Sequence, residues 1–328
     1  MTVQSPAAKS PSAKHYFLLL LLSFCWGPSF LFIKVAVQEI PPLTMVAGRV
    51  TMGAILLFAL LKILGERLRP HWHAWPYMLV NAVFSAALPF FLISAGEESI
   101  SSSLAAIINA TTPMFTAMIA HFYIRGEHMH FMRGLGIALG FGGILLIFVP
   151  AMASVEDQSE WGAFLVLVAS ACYAIGVVNS KKNLTHIPSI AAACGQLILA
   201  AAILIPAALF FDAPQNMSMP SAKALGSVFG LALLGTATAF ALFNYLAKET
   251  GANFVSSSTL LFPVIGVLLG WLVLGEELSW NAIGGSALIF LGLAIANGLI
   301  GPKQQPFREN IRPNSGTKKG GSSGQLRP

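Results

Sequence analysis

The sequence predicts an all-α integral membrane protein, with ten transmembrane helices built as two inverted five-helix repeats. Of its 328 residues, 55% are hydrophobic and only 10% are charged, which is more apolar surface than a soluble core of this length can bury. Ten apolar segments approach the length of about 20 residues that crosses the hydrocarbon layer as a helix. The second half of the chain also repeats the first, at an offset of about 150 residues.

The ten predicted spans are separated by clusters of charged residues, proline and glycine. They lie near 16–37, 43–64, 74–95, 101–124, 132–150, 161–181, 187–211, 223–247, 253–274 and 281–300. The first resembles a signal peptide because Lys9 and Lys14 precede it, but it is too long and lacks a small-residue cleavage pattern. We therefore expect it to remain as a membrane span.

The repeat rests on identities that recur at nearly constant spacing. At an offset of 147, Ser23, Cys25, Lys34, Ile40, Pro41 and Gly48 recur as Ser170, Cys172, Lys181, Ile187, Pro188 and Gly195. At an offset of 149, Gly126, Glu127, Gly136 and Gly143 recur as Gly275, Glu276, Gly285 and Gly292. Because five spans are an odd number, the second copy would enter the bilayer from the opposite side, as in secondary transporters.

Positive charge separates the loops into two sets. Sixteen of the 19 Lys and Arg residues lie in the N-terminal arm, the tail and the loops near 62–73, 125–133, 181–186 and 247–252, whereas acidic residues dominate the other loops. By the positive-inside rule, both termini are cytoplasmic. We expect a multi-pass protein of the cell membrane, the inner membrane if the source is bacterial, with lipid rather than nucleic acid as the partner of its basic residues.

Four regions follow from the repeat. Residues 1–15 form a cytoplasmic arm, 16–150 the first repeat, 151–301 the second repeat, and 302–328 a tail whose composition predicts disorder. The oligomeric state stays open, because glycine-rich faces such as that of Gly136, Gly140 and Gly143 can pack helices within one chain or between chains.

Short motifs in this order indicate a family. They are Trp26-Gly27, Ser29-Phe30, Lys34, Pro41-Pro42 and Arg49, together with Gly126-Glu127 and Leu274-Gly275-Glu276-Glu277-Leu278, each before a glycine-bearing final span. The pattern over about residues 16–300 resembles the EamA family of the drug/metabolite transporter superfamily. The resemblance implies a ten-span carrier of small metabolites, many members being exporters of amino acids or related compounds. The second repeat departs from the first, since Tyr173 and Gln196 match Trp26 and Arg49.

Arg49 is the strongest candidate for substrate recognition. It lies about six residues into the second span, roughly 9 Å below the outer end, where an unpaired cation costs at least ~2.5 kcal/mol. A guanidinium there could bind a carboxylate or phosphate through two parallel hydrogen bonds. Alternatively, Arg49 extends outward to the headgroups or caps carbonyl groups at the end of a neighbouring helix. The matching Gln196 is neutral.

Polar and aromatic residues near span centres complete the predicted site. The substrate-binding candidates are Trp26, Arg49, Asn81, Asn109, Tyr173, Gln196, Asn244 and Ser258. The amides are the best of the polar set, since an amide can donate to a carboxylate and accept from an ammonium, although interhelical hydrogen bonding would also account for them. The candidates for hinges or gates are Gly27, Pro28, Lys34, Pro113 and Pro263. For Lys34, anchoring at the headgroups is favoured over gating.

Neither a cofactor nor a metal is expected. The three cysteines lie in apolar runs, and the two His-x-His pairs lie in loops where histidines are ordinarily solvated. Acidic residues are confined to predicted loops, so the sequence shows no embedded carboxylate that would bind a proton or a cationic drug. Glu127 and Glu276 are expected to cap or orient the helix that follows each of them.

These observations predict a secondary transporter that exports small metabolites, above all amino acids or related carboxylates, by alternating access around a central polar cavity. The main alternative is broad efflux of lipophilic or cationic compounds. An intramembrane enzyme is remote, because H-E-x-x-H and paired aspartates are missing from the sequence. Uniport and proton antiport both remain open.

Overall fold

The computed structural model describes residues 12–124, 131–151, 159–250, 254–255 and 258–296, and within these ranges every regular element is helical. The α-helices are α1 (Ala13–Trp26), α2 (Pro28–Ala36), α3 (Pro42–Ile63), α4 (Trp75–Ala82), α5 (Leu88–Glu97), α6 (Ser102–Asn109), α7 (Thr112–Tyr123), α8 (Phe131–Ala151), α9 (Ser159–Asn179), α10 (Ser189–Phe211), α11 (Ala222–Ala232), α12 (Ala239–Thr250), α13 (Ser258–Leu274) and α14 (Trp280–Ala296). The predicted all-α membrane fold is confirmed.

Eight helical stretches are long and apolar enough to cross a membrane. They are Ala13–Ala36, Pro42–Ile63, His71–Glu97, Ser102–Tyr123, Phe131–Phe148, Glu160–Leu184, Ser189–Phe211 and Ala222–Phe243. Two shorter apolar helices, α13 and α14, coincide with the ninth and tenth predicted spans. We number the spans one to ten in this order. Most of the predicted arm and the whole predicted tail lie outside the described residues.

Equivalent helices of the two repeats pack against each other in antiparallel pairs. In the fifth and tenth spans, a Cβ atom added to Gly136 would lie 2.5 Å from the carbonyl oxygen of Gly292, and one added to Gly143 would lie 2.5 Å from that of Gly285. Small residues let helix backbones approach this closely where lipid supplies no hydrophobic drive between helices. These glycines therefore pack helices within one chain.

The same antiparallel relation holds for the second and seventh spans. At one end Thr44, near the start of α3, contacts Asp212, which follows the last residue of α10. Farther along, Gly53 of α3 faces Leu197 in the first half of α10. Residue numbers therefore increase along α3 where they decrease along α10, so the two helices are antiparallel.

A one-turn π-helical segment interrupts each of the equivalent third and eighth spans. The segments are Val83–Ala87, between α4 and α5, and Leu233–Thr238, between α11 and α12. At each segment, a neighbouring span packs closely through a serine–glycine contact. Ser29 faces Gly235 in one copy, and Ser85 faces Gly176 in the other. The repeats thus share a backbone irregularity of a kind found mostly at functional sites, although the serine and the glycine exchange places.

The predicted hinge prolines sit in different settings. Gly27 keeps helical dihedral angles, and its N–H donates to the Ser23 carbonyl, so the first span continues from α1 into α2. Pro113 stands in the first turn of α7, where a missing N–H costs little. Pro263 lies inside the continuous helix α13. Whether any of these positions bends during transport stays a prediction.

The contact between the fifth and tenth spans can be tested by adding one methyl group. We expect Gly143→Ala to destabilise the protein by roughly 1–3 kcal/mol, because backbone rather than a flexible side chain blocks the new Cβ atom. Gly142→Ala is the matched control, since no atom lies within 4 Å of its added Cβ. Thermal unfolding in detergent measures both variants, and equal melting temperatures would contradict the close contact.

Candidate functional site

Arg49 is buried at the meeting point of three spans. Its side chain is 5% exposed, so it does not extend to the headgroups. Its Nε donates a hydrogen bond to Thr236 Oγ1 over 3.2 Å, and its Cζ lies 3.8 Å from the centroid of the Phe90 ring. A guanidinium stacked on an aromatic face gains cation–π attraction. Phe90 was not among the predicted site residues.

The π-helical segment of the eighth span orients the partner of Arg49. Thr236 belongs to this segment, and its hydroxyl donates to the carbonyl oxygen of Leu231, five residues earlier, over 3.0 Å. With its proton directed at the backbone, the Thr236 oxygen is left to accept from Arg49. The π-helical segment thus positions an acceptor for the Nε–H group of Arg49, which can only donate.

Tyr173 and Ser29 complete the surroundings of Arg49. Tyr173, on α9, places its ring centroid 6.3 Å from that of Phe90, the ring on which Arg49 stacks. Ser29 approaches Gly235 beside the Arg49 guanidinium, and its buried hydroxyl has no hydrogen-bond partner among the described residues. We call the set Ser29, Arg49, Phe90, Tyr173 and Thr236 the Arg49 site. It draws one residue from each of five spans.

The Arg49 site has unused hydrogen-bonding capacity. A guanidinium carries five N–H donors. Within the described part of the chain, the side chain of Arg49 makes one hydrogen bond, through Nε. The remaining donors point along the plane of the guanidinium, while Phe90 covers its face. An oxyanion could therefore approach in that plane.

An aromatic cluster lies beside this site. The ring centroid of Trp26 lies 5.8 Å from that of Phe243 and 6.2 Å from that of Phe262. The Phe30 ring stacks on Phe262 with a centroid distance of 6.2 Å. Phe30 adjoins Ser29 in the chain, so the cluster and the Arg49 site share the second half of the first span. Gln196, which matches Arg49, is buried on α10.

Asn81 forms hydrogen bonds with residues outside the Arg49 site. Asn81 donates to Ser180 Oγ over 2.6 Å and accepts from Asn179 Nδ2 over 2.7 Å, while Asn179 also donates to the Tyr77 carbonyl oxygen. We call Asn81, Asn179 and Ser180 the asparagine cluster. It links the third span to the sixth, as interhelical hydrogen bonding would.

The other polar candidates also have partners elsewhere. The Ser170 hydroxyl, on α9, lies 3.4 Å from Asn109 Oδ1. Ser258 donates to the Val255 carbonyl oxygen over 2.7 Å. The side chain of Asn244 lies outside the described set. Their roles in substrate binding stay predictions, and in this conformation Arg49, Asn81 and Ser258 are buried rather than lining an open cavity.

Lys34 caps the end of a helix. Its Nζ donates to the backbone carbonyl oxygens of Glu97 and Ile100 over 2.6 and 2.8 Å. The Glu97 carbonyl is the last of α5, where a cation is favoured by the helix dipole, and Ile100 lies three residues beyond the end of that helix. Anchoring at the headgroups was expected for Lys34 and carbonyl capping was an alternative for Arg49, but it is Lys34 that caps carbonyl groups.

Glu276 caps a helix of the other repeat. Gly275, with φ of +66°, ends α13 in the left-handed conformation that glycine adopts without strain. Glu276 then accepts from the Ser102 and Ser103 N–H groups over 2.8 and 2.9 Å and from Ser103 Oγ over 2.6 Å. The expectation that Glu276 orients the following helix was wrong, because its partner is the N-terminus of α6. The equivalent Glu127 lies outside the described residues.

Two further carboxylates form similar links. Asp212 accepts from the N–H and hydroxyl groups of Thr44, at the start of α3, over 2.7 and 2.9 Å. Glu39 accepts from the N–H and hydroxyl groups of Ser221, which precedes α11, over 2.6 Å each. The Ser221 hydrogen bonds lower the pKa of Glu39. With Glu276, these are the three carboxylate caps, and each joins one repeat to the other.

The structure corrects the expectation that acidic residues stay in loops. Glu97, placed by the sequence in an outer loop, is the last residue of α5 and is fully buried. Among the described residues, neither of its carboxylate oxygens has a hydrogen-bond partner. The protein therefore holds a buried carboxylate at the outer end of the third span.

The sequence profile of the EamA-like transporter family matches residues 13–149 and again residues 160–298. The chain belongs to this family. One copy of the EamA profile covers each repeat, which agrees with the duplication seen in the sequence and in the paired helices.

Relatives of this EamA-like chain are named as transporters. YoaV, an uncharacterized transporter of Bacillus subtilis, is 27% identical over 280 residues, which is 84% of this chain and 94% of YoaV. YedA, an uncharacterized inner membrane transporter of Escherichia coli K12, is 29% identical over 81% of this chain and 86% of its own length. A solved crystal structure with 17% identity shares the fold at a TM-score of 0.63, covering 88% of this chain and 98% of that one.

The cap at Glu276 predicts a pH-dependent stability. Burial raises the pKa of Glu276, but the hydrogen bonds from Ser103 and Ser102 outweigh burial and hold the pKa below its ordinary value of 4.5. Stabilisation by this group is therefore present above about pH 4.5 and is lost as the pH falls through the lowered pKa.

We expect Glu276→Gln to lower stability by roughly 1–2 kcal/mol at pH 7, as loss of a helix cap does, and by less in acid. The exposed neighbour Glu277 provides the matched variant, Glu277→Gln. Melting temperatures of both variants at pH 7 and pH 4 measure the difference. Equal melting temperatures at pH 7 would show that the cap adds nothing.

Proposed function

We propose that this EamA-like protein is a secondary transporter that exports small carboxylate-bearing metabolites, with amino acids foremost, and that Arg49 binds the substrate carboxylate. The observation that supports the proposal is a buried guanidinium with one hydrogen bond among the described residues. Burying a cation with its donors unpaired is costly. A substrate carboxylate would supply the missing partner.

The geometry of Arg49 favours a planar anion. Guanidinium donors lie in one plane and match the two oxygens of a carboxylate. Phe90 occupies the face of that plane, and Thr236 takes the Nε donor, so the terminal N–H groups remain for a ligand. A lipophilic cation would instead be repelled by Arg49, which argues against the alternative of cationic drug efflux.

The neighbours of Arg49 suit the rest of an amino acid. The hydroxyl groups of Tyr173 and Ser29 can accept hydrogen bonds from an ammonium group. The aromatic cluster of Trp26, Phe30, Phe243 and Phe262 could pack against an apolar side chain. This cluster is also the feature that favours lipophilic substrates, so an uncharged lipophilic compound is the second candidate class.

Alternating access is supported by links between the repeats at two levels. The carboxylate caps join the repeats at one end, and the asparagine cluster joins them near the other. Asn81 and Glu97 are 16 residues apart on the third span, which corresponds to about 24 Å of helix. Because Arg49 is buried between these levels, breaking one set of links at a time would expose the site to one side only.

This arrangement is the inverted-repeat mechanism, with both termini in the cytoplasm as the distribution of Lys and Arg predicts. The carboxylate caps would then face the outside. Matched π-helical segments in the third and eighth spans would allow equivalent helices to change shape in alternation.

Transport by purified protein in liposomes tests the assignment. We expect efflux of at least one of radiolabelled alanine, phenylalanine, glutamate and pyruvate from loaded vesicles. Arg49→Gln should reduce that efflux by roughly 10–100-fold, since a buried charge pair loses a partner, and Arg49→Lys should retain part of it.

Lys62→Gln is the matched control, because Lys62 is an exposed cation at the opposite end of the same helix. Ethidium and an uncharged dye test the alternatives in the same vesicles. Full carboxylate efflux by Arg49→Gln would remove Arg49 from the site. Efflux of the dyes alone would replace the proposed substrate class.

A further inference from the structure

Glu97 occupies an unusual position at the end of α5. Its side chain is fully buried, although it lies where the third span reaches the membrane surface. Both carboxylate oxygens are enclosed and accept no hydrogen bond from the described residues. Buried carboxylates in proteins are ordinarily hydrogen-bonded or paired, so this group calls for a separate explanation.

The nearest cation does not satisfy the carboxylate. Lys34 Nζ donates to the backbone carbonyl oxygen of Glu97 itself and to that of Ile100. Its charge acts on the carboxylate, but its hydrogen bonds go to the helix end. The second cation, Arg49, stacks on Phe90, which lies seven residues, or about 10 Å of helix, before Glu97 on α5, and its described hydrogen bond goes to Thr236.

The other ionisable groups around Glu97 are mostly acidic. Glu276 interacts with it from the loop before the tenth span, and Glu98 is its exposed chain neighbour. On α9, which packs against α5, the ionisable groups include Glu160 at the start and Tyr173 farther along. Glu276 opposes a further negative charge at this position, whereas the two cations favour one, so the lack of hydrogen bonds from the described residues to the enclosed oxygens is what favours the neutral form.

These surroundings accommodate a protonated carboxyl group better than a carboxylate. An ionised carboxylate without hydrogen bonds in a protein interior costs several kcal/mol. A neutral carboxyl group avoids that cost. In this closed arrangement a proton on Glu97 would remove the uncompensated charge and leave the terminal donors of Arg49 free.

We propose that Glu97 is a proton-binding site of the transport cycle, and that it shares Arg49 with the substrate carboxylate. The linkage to substrate rests on the function proposed above. With the proton bound, Arg49 is free to hold a substrate carboxylate. When the carboxylate caps separate and water reaches α5, the O–H bond of Glu97 breaks and the proton passes to that water. The resulting carboxylate then becomes the partner of Arg49 and displaces the substrate.

This sequence of steps sets the direction of coupling. The proton and the substrate are released on the same side, and the empty site returns with Glu97 and Arg49 paired. A proton then has to be taken up before the next substrate binds. Proton and carboxylate are therefore carried together, which is symport rather than the uniport or antiport that the sequence left open, and export is then driven by the outward substrate gradient.

Infrared difference spectroscopy tests the proton site without any substrate. At pH 7 we expect wild-type protein in lipid to show the C=O stretching band of a protonated carboxyl group, and Glu97→Gln to lack it. Glutamine has nearly the shape of the neutral acid, so this variant should fold. Glu98→Gln, at the exposed neighbour, should keep the band. If wild type and Glu97→Gln give the same spectrum in this region, the proposal is overturned.

A pH titration of the same band tests the link to Arg49. Without the nearby cation, the proton is held more tightly, so in Arg49→Gln the band should persist to a pH higher by about 1–3 units. Arg49→Lys keeps the charge and should titrate like wild type. Lys34→Gln, at the other cation, should shift the titration in the same direction. An unchanged titration in Arg49→Gln would break the link.

Vesicle assays with the compound transported best in the panel then examine coupling. Efflux through wild type should carry protons into an external pH indicator, and efflux through Glu97→Gln should not. If no compound in the panel moves, the proposed function fails while the infrared results still decide the proton site. If efflux occurs without proton movement, the coupling fails and the transporter assignment stands.

Discussion

A polar group inside the hydrocarbon can bond only to the protein itself, and this constraint shapes both ends and the centre of the molecule. At one end the exposed N–H groups that begin α3, α6 and α11 are met by carboxylates from the other repeat. The carbonyl groups that end α5 are met by Lys34. The same carboxylates therefore cap helix ends and close the contact between the two repeats at this end.

The same constraint applies to Arg49 in the interior and to Glu97 at the outer end of the third span. Arg49 is held by Phe90 and Thr236 without using most of its donors, and Glu97 is enclosed without any hydrogen bond. Neither arrangement maximises stability. Buried polar groups with unused hydrogen-bonding capacity are stabilised most when a ligand or a change of conformation supplies a partner. Within the described residues, Arg49 and Glu97 are two such groups, one basic and one acidic. A site of this kind is suited to a carrier, whose empty and loaded states must interconvert.

The sequence predicted the fold well because the relevant signals are local. Apolar length defines the spans, and the structure places helices within a few residues of nearly every predicted boundary. The repeat was visible in matched glycines, and Gly136, Gly143, Gly285 and Gly292 do form one contact between equivalent helices. Prediction was weaker for the partners of charged residues. Glu276 caps α6, which is distant in the chain, rather than the helix that follows it. Lys34, rather than Arg49, donates to carbonyl groups at a helix end.

Helical class, membrane spans and family are therefore determined by the sequence alone, because each depends on composition or on the spacing of short motifs. The burial of Glu97, the stacking of Arg49 on Phe90 and the approach of Thr236 depend on how five spans meet. Residues 49, 90, 97 and 236 belong to three different spans, and no local pattern relates them. These residues come together only when the two repeats pack. The same packing buries Glu97, which the sequence placed in a loop.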